Sequence, residues 1–219
     1  MGRTDHILRE HGPRGLYTST LFEFAPEFLA YLNPALELGR SFIVPEYQRQ
    51  HQTLSMLWRG IGAFVARQPK YHLLFGPVSI SRDYSHISQS LMVRYLRRQR
   101  LHPHLSSLVT PRAPFLEASV EEWLAKAGDS REAVSDMLAS MEQVTALVSS
   151  VEPDRKGVPV LLRHYLKLNA YALNFNVDAM FSDVLDVLVL TDLRLAPSQM
   201  MRRYLGDAGY ANFVQATSM

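Results

Sequence analysis

The sequence predicts an α/β fold of the α+β type, organised on one mixed sheet. Two observations carry this reading. The stretch 35–81 runs strand, turn, amphipathic helix, strand, and two strands joined through a helix form a parallel crossover pair. Residues 171–177 then alternate apolar and polar, and a second strand over 184–193 follows AMFSD, the pattern of an antiparallel hairpin. Strands therefore stand early and late in the chain, with helices between and after them.

The elements follow in order. Residues 4–11 read as a short helix stopped by Gly12-Pro13. Residues 22–32 read as a helix with Phe24, Phe28, Leu29 and Leu32 on one side and Pro34 after it. A strand over 36–44 is ended by Pro45. The clearest amphipathic helix is 49–67, where Leu54, Leu57, Trp58, Ile61 and Val65 share a face, and where Gly60 and Gly62 suit close packing on a sheet. A strand over 72–81 and a helix over 84–99, with Ile87, Leu91, Tyr95 and Leu96 inward, come next. Residues 101–116 hold three prolines and read as irregular. Helices over 118–127 and 130–150, divided at Gly128, read as an insertion (113–156) outside the sheet. In it Met137, Leu138, Met141, Val144, Leu147 and Val148 keep helical spacing, which is core packing by default and also a surface along which an acyl chain could lie. A helix over 158–168 starts near Pro159. In 171–177, Tyr171, Leu173, Phe175 and Val177 are expected on one face and Asn174, Asn176 and Asp178 on the other. Short helices at 197–205 and 207–215 end the chain.

Composition bounds the function. At 219 residues the chain makes one domain with a substantial core. Hydrophobic residues are 47% and charged residues 20%, an ordinary globular balance. A net charge of +2 argues against nucleic acid as a partner. With no cysteine there is neither a disulfide nor a thiolate metal site, and the histidines show no ligand-like pairing, so no metal is expected. The charged start MGRTDHILREHG does not read as a signal peptide, and no apolar run approaches the ~18 residues of a membrane span. The expected location is cytoplasmic, with peripheral contact at the inner membrane as a variant.

The chemistry is expected around the first strand. Glu37 and Arg40 put charge where a strand is normally buried. Regular alternation would send them to opposite faces, but Gly39 between them marks a bulge that brings them together and splays the parallel pair. The amides exposed by such a gap would accept an extended amide-bearing ligand as a false strand, and a phosphopantetheine arm is such a ligand. The helix start after it, with Gln48, Arg49, Gln50, His51 and Gln52, suits a phosphate. The competing reading is a buried Glu37–Arg40 ion pair beside a normal strand-to-helix turn.

At ELGRSFIVPEYQ, MLWRGIGAF and LFGPVSISRDY the chain resembles the GNAT-related N-acyltransferases, in particular the ornithine–acyl carrier protein N-acyltransferase (hemolysin-like) group. VPVLLRHYLKLNAYALNFNVDAMFSDVLDVLVLTDL is similar to the C-terminal part of that group, so the resemblance covers most of 14–205. It implies an acyl-CoA N-acyltransferase (GNAT-like) fold in which 36–44 is the fourth strand, 72–81 the fifth, and 171–193 the last two. It also implies transfer of a fatty acyl group from a thioester to the amine of an amino acid such as ornithine, in membrane-lipid biosynthesis. The donor sits on phosphopantetheine, of acyl carrier protein or CoA, and no cofactor is held tightly. The phosphate turn reads QRQHQTL, without the glycines usual in the family, which favours acyl carrier protein as donor and partner. The family has strands before the fourth, so the resemblance implies that this chain lacks N-terminal strands and works with a missing N-terminal acyltransferase segment.

On that reading Glu37 takes the amine proton, Arg40 clamps the acceptor carboxylate, and Tyr84 protonates the leaving thiolate. Amides of Phe42, Ile43 and Val44 stabilise the oxyanion, and Ser79 stands at the strand end that ligands approach. Asn174, Asn176 and Asp178 line the acceptor pocket, with Asp183 and Asp186 open to either a site or a surface role. Arg82, Arg94, Arg97, Arg98 and Arg100 form a patch for an acidic carrier protein or an anionic membrane. Two other functions stay open: a degenerate domain that binds acyl carrier protein or membrane without chemistry, and an acyl-homoserine-lactone-type synthase.

Overall fold

The computed structural model describes residues 1–39, 44–47, 53–120, 122–123 and 138–218. The expectations for Arg40, Phe42, Ile43 and Gln48 to Gln52, and for residues 121 and 124–137 of the insertion with Met137 among them, lie outside the described residues.

The main sheet has five strands: β1 (Gly2–Arg3), β3 (Leu36–Glu37), β4 (Leu73–Ile80), β7 (Val184–Asp192) and β6 (Tyr171–Asp178), in that spatial order. Only β3 and β4 run parallel, and the other neighbours are antiparallel. β7 lies between β4 and β6 although it is last in the chain. The sheet is mixed, as the sequence predicts. The outer side of β3 is paired with β1, which covers that edge.

Helices α3 (Thr53–Arg67), α4 (His86–Gln99), α5 (Met141–Val151), α6 (Val160–Lys167) and α7 (Ser198–Thr217) contribute Trp58, Val65, Leu91, Val144, Leu162 and Met201 to the larger core. That core covers the sheet face of Leu36, Leu74, Val78, Val187 and Val189. α1 (Thr4–His11), α2 (Pro26–Tyr31) and a two-stranded sheet of β2 (Phe22–Phe24) and β5 (Val109–Pro111) lie over the other face, where Leu16, Phe22 and Phe28 pack with Leu73, Phe75, Leu188 and Leu190.

Local signals fixed most boundaries. α1 stops at Gly12, whose φ of 63° favours glycine. Ser85 caps α4 by accepting the Ser88 N–H. α7 is broken at Gly206 (φ 75°) into the two expected helices. Three expectations changed. Residues 22–24 form a strand because they pair with 109–111, a partner far along the chain, and the helix begins at Pro26. The irregular stretch 101–116 therefore contributes a strand. In β6 the register slips between Ala172 and Asn174, a bulge that sends Leu173 to the smaller core and Phe175 to the larger one, so the expected single apolar face is divided.

Gly62 packs against a helix rather than the sheet: a Cβ there would collide with the Tyr204 backbone of α7, whereas Gly60 faces open space. In α5 Val144 and Val148 are buried in the larger core. Among the described residues no helix is long and apolar enough to cross a membrane.

Candidate functional site

Among the described residues, one rung joins β3 to β4 beyond the paired Leu36 and Glu37. The Leu38 N–H donates to the Phe75 carbonyl at 2.7 Å. In a parallel ladder the residue that donates to 75 accepts from 77. Position 77 is proline, which has no N–H, so the Leu38 carbonyl loses its ladder donor. Gly76 permits the approach, since any Cβ there would run into the Leu38 carbonyl. By strand alternation the carbonyl of Pro77 and both backbone groups of Ser79 point to the same side of β4 as those of Phe75.

A cleft of about 830 Å³ opens at this point. Tyr17, Gly39, Ser79 and Asp178 line it from the face of the smaller core, and Leu38, Trp58 and Tyr165 from the helix-covered face. Walls drawn from both faces mean that the cleft passes between the strands. Leu57, Leu161, Met180 and Phe181, all exposed, form an apolar lip.

The polar groups beside it form a row across three strands. Ser79 of β4 stands opposite Asp186 of β7, which stands opposite Asn176 of β6. Ser79 Oγ donates to Asp186 Oδ1 at 2.6 Å. Asp186 is 2% exposed, and burial, with the Asp178 charge adding, pushes its carboxyl up to about 6 against the opposing hydrogen bond from Ser79. Ser79 itself is exposed toward the cleft.

The structure distributes the expected site residues unevenly. Ser79 and Asp178 line the cleft; Asp178 also accepts the Met180 N–H at 2.9 Å and so shapes the lip. Glu37 is buried behind the wall. Its Oε1 accepts from the Thr18 N–H and hydroxyl, each at 2.7 Å, and its Oε2 accepts from the Tyr17 N–H at 3.1 Å. It thereby holds the turn that presents Tyr17. Tyr84 donates to the Gly157 carbonyl at 2.7 Å, outside the cleft lining; burial first, and then Glu152 and Asp154, raise its pKa. Asn174 donates to the Val109 carbonyl and Asn176 accepts the Ala113 N–H, both at 2.8 Å, so these two tie β6 to the segment around β5. Val44 is exposed and outside the lining.

Of the arginine patch, Arg82 pairs with Asp183 at 3.0 Å, and Arg94 and Arg97 share Glu117 at 3.8 and 3.0 Å. No cluster of potential metal ligands occurs among the described residues. The sequence reading missed the walls, Tyr17, Trp58 and Tyr165, and the meaning of Pro77. A proline inside an otherwise regular strand was the available signal, because it demands an unpaired neighbour on its nitrogen side.

Comparison with known proteins points the same way. Residues 1–59 match the acetyltransferase (GNAT) domain family. The chain is 34% identical over 127 residues to a glycine N(alpha)-acyltransferase of Bacteroides thetaiotaomicron, covering 54% of this chain and 37% of that protein. It is 31% identical over 112 residues to one of Phocaeicola vulgatus, covering 48% and 34%. The alignments thus take in little more than a third of each relative's length. No solved structure matches significantly. The mixed sheet, with its last strand between β4 and β6, and the match over the first 59 residues are consistent with an acyl-CoA N-acyltransferase fold.

Proposed function

We propose that the protein transfers an acyl group from a phosphopantetheine thioester to the amine of an amino acid. The observation that carries this reading is the gap after Leu38, where Pro77 leaves ladder groups unmet beside a cleft that crosses the sheet. An extended chain bearing amides fits there as a substitute strand, donating to Leu38 and accepting from Ser79. The donor then enters from one face and the amine from the other, so the two reactants meet in the plane of the sheet.

The amine must lose a proton to attack the thioester carbonyl. Ser79 and Asp186 suit that role as a pair: the serine oxygen takes the amine proton while its hydroxyl proton passes to the buried carboxylate, and as the C–S bond breaks that proton returns through the serine to the leaving thiolate. Glu37, with three donors already on its carboxylate, acts in this reading by positioning Tyr17. The apolar lip of Leu57, Leu161, Met180 and Phe181 suits a fatty acyl chain. The names of the two relatives favour glycine as acceptor; ornithine, implied by the residue motifs, is favoured by Asp178, which would meet a side-chain ammonium at the cleft wall. A carrier-protein donor rests on the motifs around residue 48, and a role in lipid synthesis on the same resemblance.

The test is direct. Purified protein is incubated with palmitoyl-CoA or palmitoyl acyl carrier protein and with glycine or ornithine, and products are read by mass spectrometry. N-acyl amino acid that disappears in Ser79→Ala and Asp186→Asn supports the proposal. No product with any pair, while the thioester still binds, favours a binding domain without chemistry.

A further inference from the structure

A second cleft, of about 860 Å³, lies among the C-terminal end of α4, α5 and α6, and shares no lining residue with the first. Helix α6 contributes to both: Leu161 and Tyr165 line the first cleft, Arg163 and Lys167 the second. Four cations line this second cleft, Arg100, Arg155, Arg163 and Lys167, against one carboxylate among the described residues, Glu142. None of the four makes an ion pair among the described residues, in contrast to Arg82, Arg94 and Arg97 of the same chain. Like charges gathered in a concave surface repel one another and raise the local potential for an anion.

Arg163 adds an independent observation. Its Nε is buried and has no hydrogen-bond partner among the described residues. The Arg163 side chain is half-buried in the cleft lining, so an anion in the cleft meets its guanidinium with part of the competing water already excluded. The planar guanidinium matches phosphate oxygens in pairs. The cleft is also far larger than a bare anion needs, and Tyr95, Met141 and Leu166 give it apolar walls.

We infer that this second cleft binds a small phosphomonoester whose phosphate meets Arg163 and Arg155 and whose body lies against Tyr95 and Leu166. The site is separate from the acyl-transfer cleft and does not depend on that reading.

Isothermal titration of the whole chain at constant ionic strength, with inorganic phosphate, AMP and a short-chain lysophosphatidate below its micelle concentration, tests it. Saturable binding of at least one ester, tighter than inorganic phosphate, is expected, and the tighter ester tells whether the body is planar or aliphatic. Arg163→Gln and Arg155→Gln should each weaken that binding roughly tenfold, the loss of one charged hydrogen bond. Arg155 is exposed, so its variant keeps the unfolding temperature of the parent. Absence of saturable binding, equal affinity for inorganic phosphate and both esters, or unchanged affinity in both variants overturns the inference.

Discussion

The Leu38 N–H reaches the Phe75 carbonyl at 2.7 Å, and the rung that should return to the Leu38 carbonyl would have to start from the nitrogen of Pro77. One missing hydrogen thus leaves the Leu38 carbonyl without its ladder donor at the edge of the cleft.

Pro77→Ala restores that hydrogen. The new rung is worth about 1 kcal/mol, and the freer unfolded chain costs a similar amount, so stability should change by less than about 1 kcal/mol. The strands should nevertheless pair further, and the KM for the thioester should rise several-fold. Thermal unfolding and steady-state kinetics check the two parts. An unchanged KM would show that the gap is not where the donor lies.

Asp186→Asn separates catalysis from stability. As proton acceptor the carboxylate must be ionised, so activity should rise with pH through about 6 and that limb should vanish in the variant, with kcat down about 100-fold. Stability runs the other way. The folded-state value lies above the ordinary 3.8, so the stability from the protonated form is complete below 3.8 and is lost as pH rises through about 6. At pH 7.5, above both values, the buried charge costs about 3 kcal/mol, which the asparagine removes. The variant should therefore melt no lower than the parent while losing activity.

Glu37→Ala leaves the Tyr17 amide and both Thr18 donors unmet and should destabilise by about 2–4 kcal/mol. Glu37→Gln keeps an acceptor oxygen and should recover about half of that. Denaturant unfolding measures both. A glutamine variant of full stability but no activity would move the proton-accepting role back to Glu37.

His164 should make the protein acid-sensitive. Burial, with Lys167 and Arg203 adding, lowers its pKa to about 4, and its ring stacks on Trp58 with centroids 4.8 Å apart. For a depressed histidine the stability is present above 6.5 and is lost as pH falls toward 4. About 1–2 kcal/mol should go over that range, and His164→Gln should flatten this part of the profile. Melting curves at pH 7 and pH 4.5 read it directly.

The sequence alone determined the elements whose signals are local. The amphipathic period of α3, the glycine stop of α1, the break at Gly206 and the apolar run of β7 each depend on neighbours within a few residues. It also drew attention to the stretch from Glu37 to Ser79, where a charged strand precedes a helix and a second strand. Only the tertiary structure decided what came from distant partners. The pairing of 22–24 with 109–111, the bulge at Leu173, the attachment of Glu37 to Tyr17 and Thr18, and the row from Ser79 through Asp186 to Asn176 join residues far apart in the chain. Hydrogen bonds and burial across such separations arise when the sheet closes, and no local pattern records them. The same holds for Asp186: its carboxyl is one of several in the sequence, and its raised pKa exists because the folded chain removes it from water.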